Sequence, residues 1–345
     1  MKRFLFILLC FIVTSNCFSF QIDSLINIDS LNNVWNNKSN SDSERLNSLS
    51  ELVWHTYNFE SPDSAYKMAN IQFNFAKERN LRDWMGNALI IIGRIYDKKQ
   101  KYNQAIQSYQ KAINLYKTHN SNTDLGTFYN DMAIIYINMN QYELALDYYD
   151  KVLEISKKNE DYDELDVYYS NMANIFARQN NFDKAFEFYS KSLSIKLENN
   201  DRVGAALIYN NLGVMYFNQS ELDLAIENYT KSMNLRLMLG DKTRLITTYN
   251  NISEYYITIK SYKKAYDIAS KAYELSYEYN LFDDMEFSSL YMYKSAKELG
   301  LYKKALISYE LYKNVCDSLE FIKTNNRLLS IQLENNLTHQ NLKDS

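Results

Sequence analysis

The chain has 345 residues, 46% of them hydrophobic, with seven Gly and a single Pro. That little turn chemistry points to helices joined by short connections rather than to sheets or long loops. The formal net charge is −4 and no Lys/Arg block stands out, which excludes an electrostatic nucleic-acid binder.

The first nineteen residues, "MKRFLFILLCFIVTSNCFS", differ from the rest. Lys2 and Arg3 precede an uncharged apolar run from Phe4 to Val13, and small and polar residues follow as far as Ser19. This is the layout of a secretory signal, and the apolar run is too short to cross a bilayer comfortably. Residues 1–19 are therefore expected to direct export, with a periplasmic destination. Cleavage after Ser19 removes two cations and takes the charge from −4 to −6. Cys17 offers the alternative of a lipid anchor, although Thr14-Ser15-Asn16 matches a lipobox poorly. Cys10 and Cys17 both lie in this leader, so Cys316 alone remains and no internal disulfide can form.

Residues 20–42 are expected to form a leading helix and linker. From there the chain repeats. Ala105, Ala145, Ala185, Ala225, Ala265 and Ala305 recur every forty residues. Three positions earlier stand Tyr102, Tyr142, Phe182, Leu222, Tyr262 and Tyr302, and four later stand Tyr109, Tyr149, Tyr189, Tyr229, Ala269 and Tyr309. Twelve before the alanines are Gly93, Ala133, Ala173, Gly213 and Ser253, until Tyr293 breaks the small series. Within each unit the apolar spacing of three and four residues marks one face of a helix. Each unit thus reads as two antiparallel helices, with Gly213 expected to face Ala225 at their close approach. Asn80, Asn120, Asn200, Gly240 and Asn280 fall between units, with Asn159-Glu160 in the missing slot. Gly and Asn accept the left-handed conformation that closes a helix, so these positions are expected C-caps.

A small residue, then an alanine twelve positions on, with Tyr or Phe at fixed offsets, resembles the tetratricopeptide repeat. That family's usual unit has 34 residues; the spacing from Gly213 to Ala225 keeps its internal register, so the extra residues lengthen both helices. Long variants of this kind are similar to those of kinesin light chain and of bacterial peptide-sensing regulators. The resemblance implies an all-α, right-handed superhelical solenoid of about seven units over residues 43–320, degenerate at both ends. The two ends, Ile28 to Ala69 and Ser308 to Asn336, resemble the periplasmic sensor portion of Bacteroidetes membrane regulators. There, the final repeat runs into a long helix, here residues 321–345, that enters the membrane ahead of a histidine kinase or DNA-binding domain. A membrane-bound kinase or regulator is the partner this implies.

Catalytic signals are weak. His55, His119 and His339 lie far apart, and the sequence holds no HExxH, CxxC, GxGxxG or phosphate-binding loop. No enzyme activity, cofactor or metal is expected. In the family's fold the first helices line a concave groove. Two polar ladders run along them here: Asn130, Ser170, Asn210, Asn250, and beside these Asp131, Asn171, Asn211, Asn251. Ile134, Val214 and Phe217 lie nearby. Asn offers two donors and an acceptor, enough to pair with an extended peptide backbone of any sequence. Asn130, Asn171, Asn210, Asn211, Asn250 and Asn251, with Ile134, Val214 and Phe217, form the candidate groove for a protein or peptide segment. The same asparagines could instead bond one another and hold the array at its pitch. Two functions stay open: an exported binding module that senses a ligand, and a structural scaffold for envelope proteins.

Overall fold

The computed structural model describes residues 28–59, 62–119, 125–159 and 164–341. The expected signal at 1–19, with Cys17, and the expected cap at Asn120 lie outside the described residues. Among those described, every regular element is an α-helix. The chain divides into two compact units, residues 1–123 and 124–345.

The first unit holds α1 (Ile28–Asn36), α2 (Asp42–Phe59), α3 (Pro62–Glu78), α4 (Arg82–Lys98) and α5 (Tyr102–His119). Pro62 opens α3, where its missing N–H costs nothing because that donor has no helical partner. Successive helices pack in antiparallel pairs around Leu49, Val53, Ala69 and Ile92. The leading helix α1 docks on this core through Trp35, whose ring meets Phe75 edge-on at 5.1 Å. Arg45 of α2 holds it there, donating from Nε to the Trp35 carbonyl at 2.9 Å.

The second unit stacks five helix pairs: α6 (Gly126–Asn138) with α7 (Tyr142–Asn159), α8 (Leu165–Arg178) with α9 (Phe182–Glu198), α10 (Arg202–Asn218) with α11 (Leu222–Leu239), α12 (Lys242–Thr258) with α13 (Tyr262–Glu278), and α14 (Phe282–Glu298) with α15 (Tyr302–Asn341). The repeated alanines Ala145, Ala185, Ala225 and Ala265 are fully buried. Around Ala225 the core is Tyr229 together with Ile252 and Tyr255 of the following pair, so each second helix is sealed by the next first helix.

The close approach at Gly213 differs from the sequence expectation. A Cβ placed there would lie 2.4 Å from Cδ1 of Tyr229, so the notch in α10 takes the tyrosine ring rather than facing Ala225. The same holds at Gly93, where the Tyr109 ring comes within 3.0 Å of a would-be Cβ. The glycine and the tyrosine four residues after the alanine form one lock, because a ring laid flat on a helix needs a gap in its side-chain surface.

The expected caps at Asn80, Asn200, Gly240 and Asn280 have positive φ, from 55° to 67°. So do Gln100, Asn140, Asn180, Ser220, Lys260 and Gly300, which close the first helix of each pair. Among the described residues the left-handed position therefore falls on multiples of twenty, from 80 to 300. After each, the next N–H reaches back five residues to a helical carbonyl, as from Leu81 to Ala76 at 2.9 Å and from Ser261 to Tyr256 at 2.8 Å.

Candidate groove on the first helices

In the second unit, α6, α8 and α10 border an open depression of about 560 Å³. Its apolar wall is Ile134, Ile137, Ile175, Val214 and Met215, and its polar groups are Asn171, Asn174, Asn211, Asn218, Tyr189 and Arg178. Among the described residues no Asp or Glu lines it, and Arg178 is the one formal charge on it. The helix period explains the set: 171, 174, 175 and 178 fall on one stripe of α8, as 211, 214, 215 and 218 do on α10.

The hydrogen bonds fix how these amides point. Asn174 Oδ1 accepts from the Tyr189 phenol and, at 3.3 Å, from Asn211 Nδ2. Its oxygen is thus committed within the chain, and its NH2 is the group left to meet a ligand. Burial pushes the Tyr189 phenol well above its ordinary range, opposed by the nearby Arg178 charge, so it is a neutral donor at physiological pH.

Of the residues expected in the groove, Ile134, Asn171, Asn211 and Val214 line this depression. Asn130, half-buried on α6, does not, and its Oδ1 is buried without a hydrogen-bond partner among the described residues. Phe217 packs instead beside Tyr216 against the Ala225–Tyr229–Ile252 core. Asn210 and Asn250 lie beneath the surface, each 6% exposed. Asn210 Oδ1 accepts from Thr248 Oγ1 at 3.3 Å and from Asn251 Nδ2 at 3.1 Å. Asn250 Nδ2 donates to Asp284 Oδ1 at 3.1 Å. Burial raises the Asp284 carboxyl above its usual range and the Asp283 charge adds to this, while the Asn250 bond pulls it back. The ladder beginning at Asn130 thus sits one helical step inward of the groove, and at Asn210 and Asn250 it ties neighbouring units together.

Two buried cations complete the bracing. Lys196 bonds to Asp166 and, at 3.2 Å, to Asp201. Burial alone would lower its pKa, but the two carboxylates outweigh burial and raise it. Gly204 makes room for this cluster, since a Cβ there would lie 2.2 Å from Asp201 Oδ2. One unit on, Arg236 is 3% exposed and bonds through Nη1 to Thr248 Oγ1 at 2.6 Å and to the Arg244 carbonyl. Burial lowers it to about 10, with Arg244 adding to the shift and Asp241 opposing it.

Family models place what the geometry describes. One for the tetratricopeptide repeat matches residues 124–198 and 204–278, and a second for the same repeat matches 86–119. The chain belongs to the tetratricopeptide repeat family. No curated protein matches it in sequence. Among solved structures, the apo form of RapI is 15% identical with a TM-score of 0.63, covering 81% of this chain and 99% of that one. BtubC from P. vanneervenii is 20% identical with a TM-score of 0.56, over 64% of this tetratricopeptide repeat chain and 92% of its own. The apo quorum sensor NprR from B. thuringiensis is 12% identical with a TM-score of 0.53, covering 80% and 89%. At these identities the likeness is one of fold.

Proposed function

We propose that the chain is an exported, non-catalytic module that binds a peptide or protein segment along α6, α8 and α10 as the sensing part of a signalling system. The depression itself carries this reading. It joins amides, which suit any peptide backbone, to the aliphatic wall of Ile134, Ile137 and Val214, which would select side chains. Membership of a protein-interaction family supports it, as does the sharing of this fold by a protein described as a quorum sensor. Export rests on Lys2, Arg3 and the apolar run after them. A membrane-bound kinase or regulator as partner rests on the two ends of the sequence.

A library of displayed peptides selected against the full chain tests the groove. Peptides should be enriched, and the Asn171→Ala/Asn211→Ala variant should lose them at unchanged helicity, each change removing a bond of about 0.5–1.5 kcal/mol. Undiminished binding by that variant would move the assignment to the scaffold reading. One observation favours that reading: Asn210 and Asn250 spend their bonds on neighbouring units rather than on a surface.

A further inference from the structure

In each interior pair of the second unit the second helix packs against the next first helix. Tyr229, sealed by Ile252 and Tyr255, is 2% exposed. On α15 the matching face is bare among the described residues: Tyr302 is 75%, Leu306 59% and Tyr309 44% exposed. Their spacing of four and three puts them on one stripe, which adjoins Ala305 and lies about a third of a turn from the Val315 and Leu319 face that packs toward α14. Tyr309 is held in place from behind by Tyr293, ring to ring at 5.3 Å. The stripe is therefore a preformed copy of an internal stacking surface, left without its cover.

We propose that a second copy of this chain covers it, two α15 helices pairing antiparallel about a two-fold axis. Two features of the molecule select this occupant. In the first unit α1 already packs on the first pair, with Trp35 against the Leu49–Val53 core, so among the described residues that face is not free to accept head-to-tail stacking. A closed, isologous pair remains. The charges also fit. With the axis passing between Leu306 and Ile307, Lys303 of each copy comes opposite Glu310 of the other, and neither residue is in an ion pair among the described residues. Leu306 then meets its symmetry mate's Ile307, itself 48% exposed. The patch spans little more than two helical turns, so the dimer is a weak, concentration-dependent one.

Sedimentation of the full chain across a hundredfold concentration range tests this. The wild type should pass from monomer to dimer, and Leu306→Glu should stay monomeric with an unchanged thermal melt. Lys303→Glu and Glu310→Lys should each raise the dissociation constant about tenfold, since each sets like charges face to face across the axis twice. The double variant should return close to the wild-type constant. A wild type that is monomeric throughout overturns the proposal. So does a dimer that survives Leu306→Glu, which places the contact elsewhere, and so does a double variant no tighter than the singles, which rules out the two-fold register.

Discussion

Replacing Tyr229 with Ala should be among the most damaging single changes in the second unit. The ring is 2% exposed and lies on Gly213, so close that a Cβ there would be 2.4 Å from it. On its other side it meets Ile252 and Tyr255 of the next pair. Truncating a buried aromatic to alanine costs about 3–5 kcal/mol, depending on how far the surroundings collapse. Collapse is limited here, because glycine has no side chain to move into the space from below. The upper half of that range, about 4–5 kcal/mol, is therefore expected. The loss falls on two contacts at once, within the pair α10–α11 and from it to α12. Urea unfolding followed by far-ultraviolet circular dichroism measures it. Tyr277→Ala is the control: that tyrosine is 67% exposed, and its loss should stay within about 0.5 kcal/mol. A cost below about 1 kcal/mol for Tyr229→Ala, or equal costs for the two variants, would refute the ring-in-notch account.

Lys260 closes α12 at φ 58°, a conformation that glycine takes at Gly240 and Gly300. Lys260→Gly should raise the melting temperature, with about 0.5–1 kcal/mol left after the extra freedom of the unfolded chain is subtracted. Asn210→Ala should lower the melting temperature, because it leaves Thr248 and Asn251 without their shared acceptor, yet spare selected-peptide binding; thermal melts and a binding titration on one preparation separate the two effects. Lys196→Met should destabilise at neutral pH by about 1–3 kcal/mol. Because the folded-state pKa of Lys196 is raised, its contribution is complete below the ordinary lysine value of 10.5 and fades as pH climbs through the higher folded one, so the gap between variant and wild type should narrow in alkaline urea titrations. Fusing residues 1–25 to a reporter active only outside the cytoplasm should give activity that deletion of residues 4–13 abolishes, and an inactive intact fusion would reject export.

The pairing of helices was legible because it rests on side chains whose type is forced. An alanine fully buried at positions 145, 185, 225 and 265 cannot be larger, so the period survives in the sequence. The caps were half legible. Asn80, Asn200, Gly240 and Asn280 announce a left-handed residue by type, whereas Gln100, Ser220 and Lys260 adopt the same φ without the type that signals it. There the fixed geometry of the helix pair imposes the conformation, and only counting twenty residues from a visible cap would have found it.

The ladders were harder, because two adjacent stripes of the same residue differ only by the 100° between neighbouring helix positions. Which stripe is inward depends on partners far along the chain, Thr248 for Asn210 and Asp284 for Asn250. A trace of this is nonetheless written in the register. Lys196 and Arg236 occupy a helix position held by Ala76 and Ser276 in other units, where a long cation is out of place unless something inside answers it. Lys196 is answered by Asp166 and Asp201. One unit on, Asp166 becomes Ala206, and the Arg236 guanidinium turns to Thr248 and a carbonyl. Thr248 in turn donates its hydroxyl hydrogen bond to Asn210 Oδ1. The loss of one carboxylate between units thus leaves Arg236 linked through Thr248 to Asn210, whose ladder position is inward in its neighbours too, at Ser170 and Asn250.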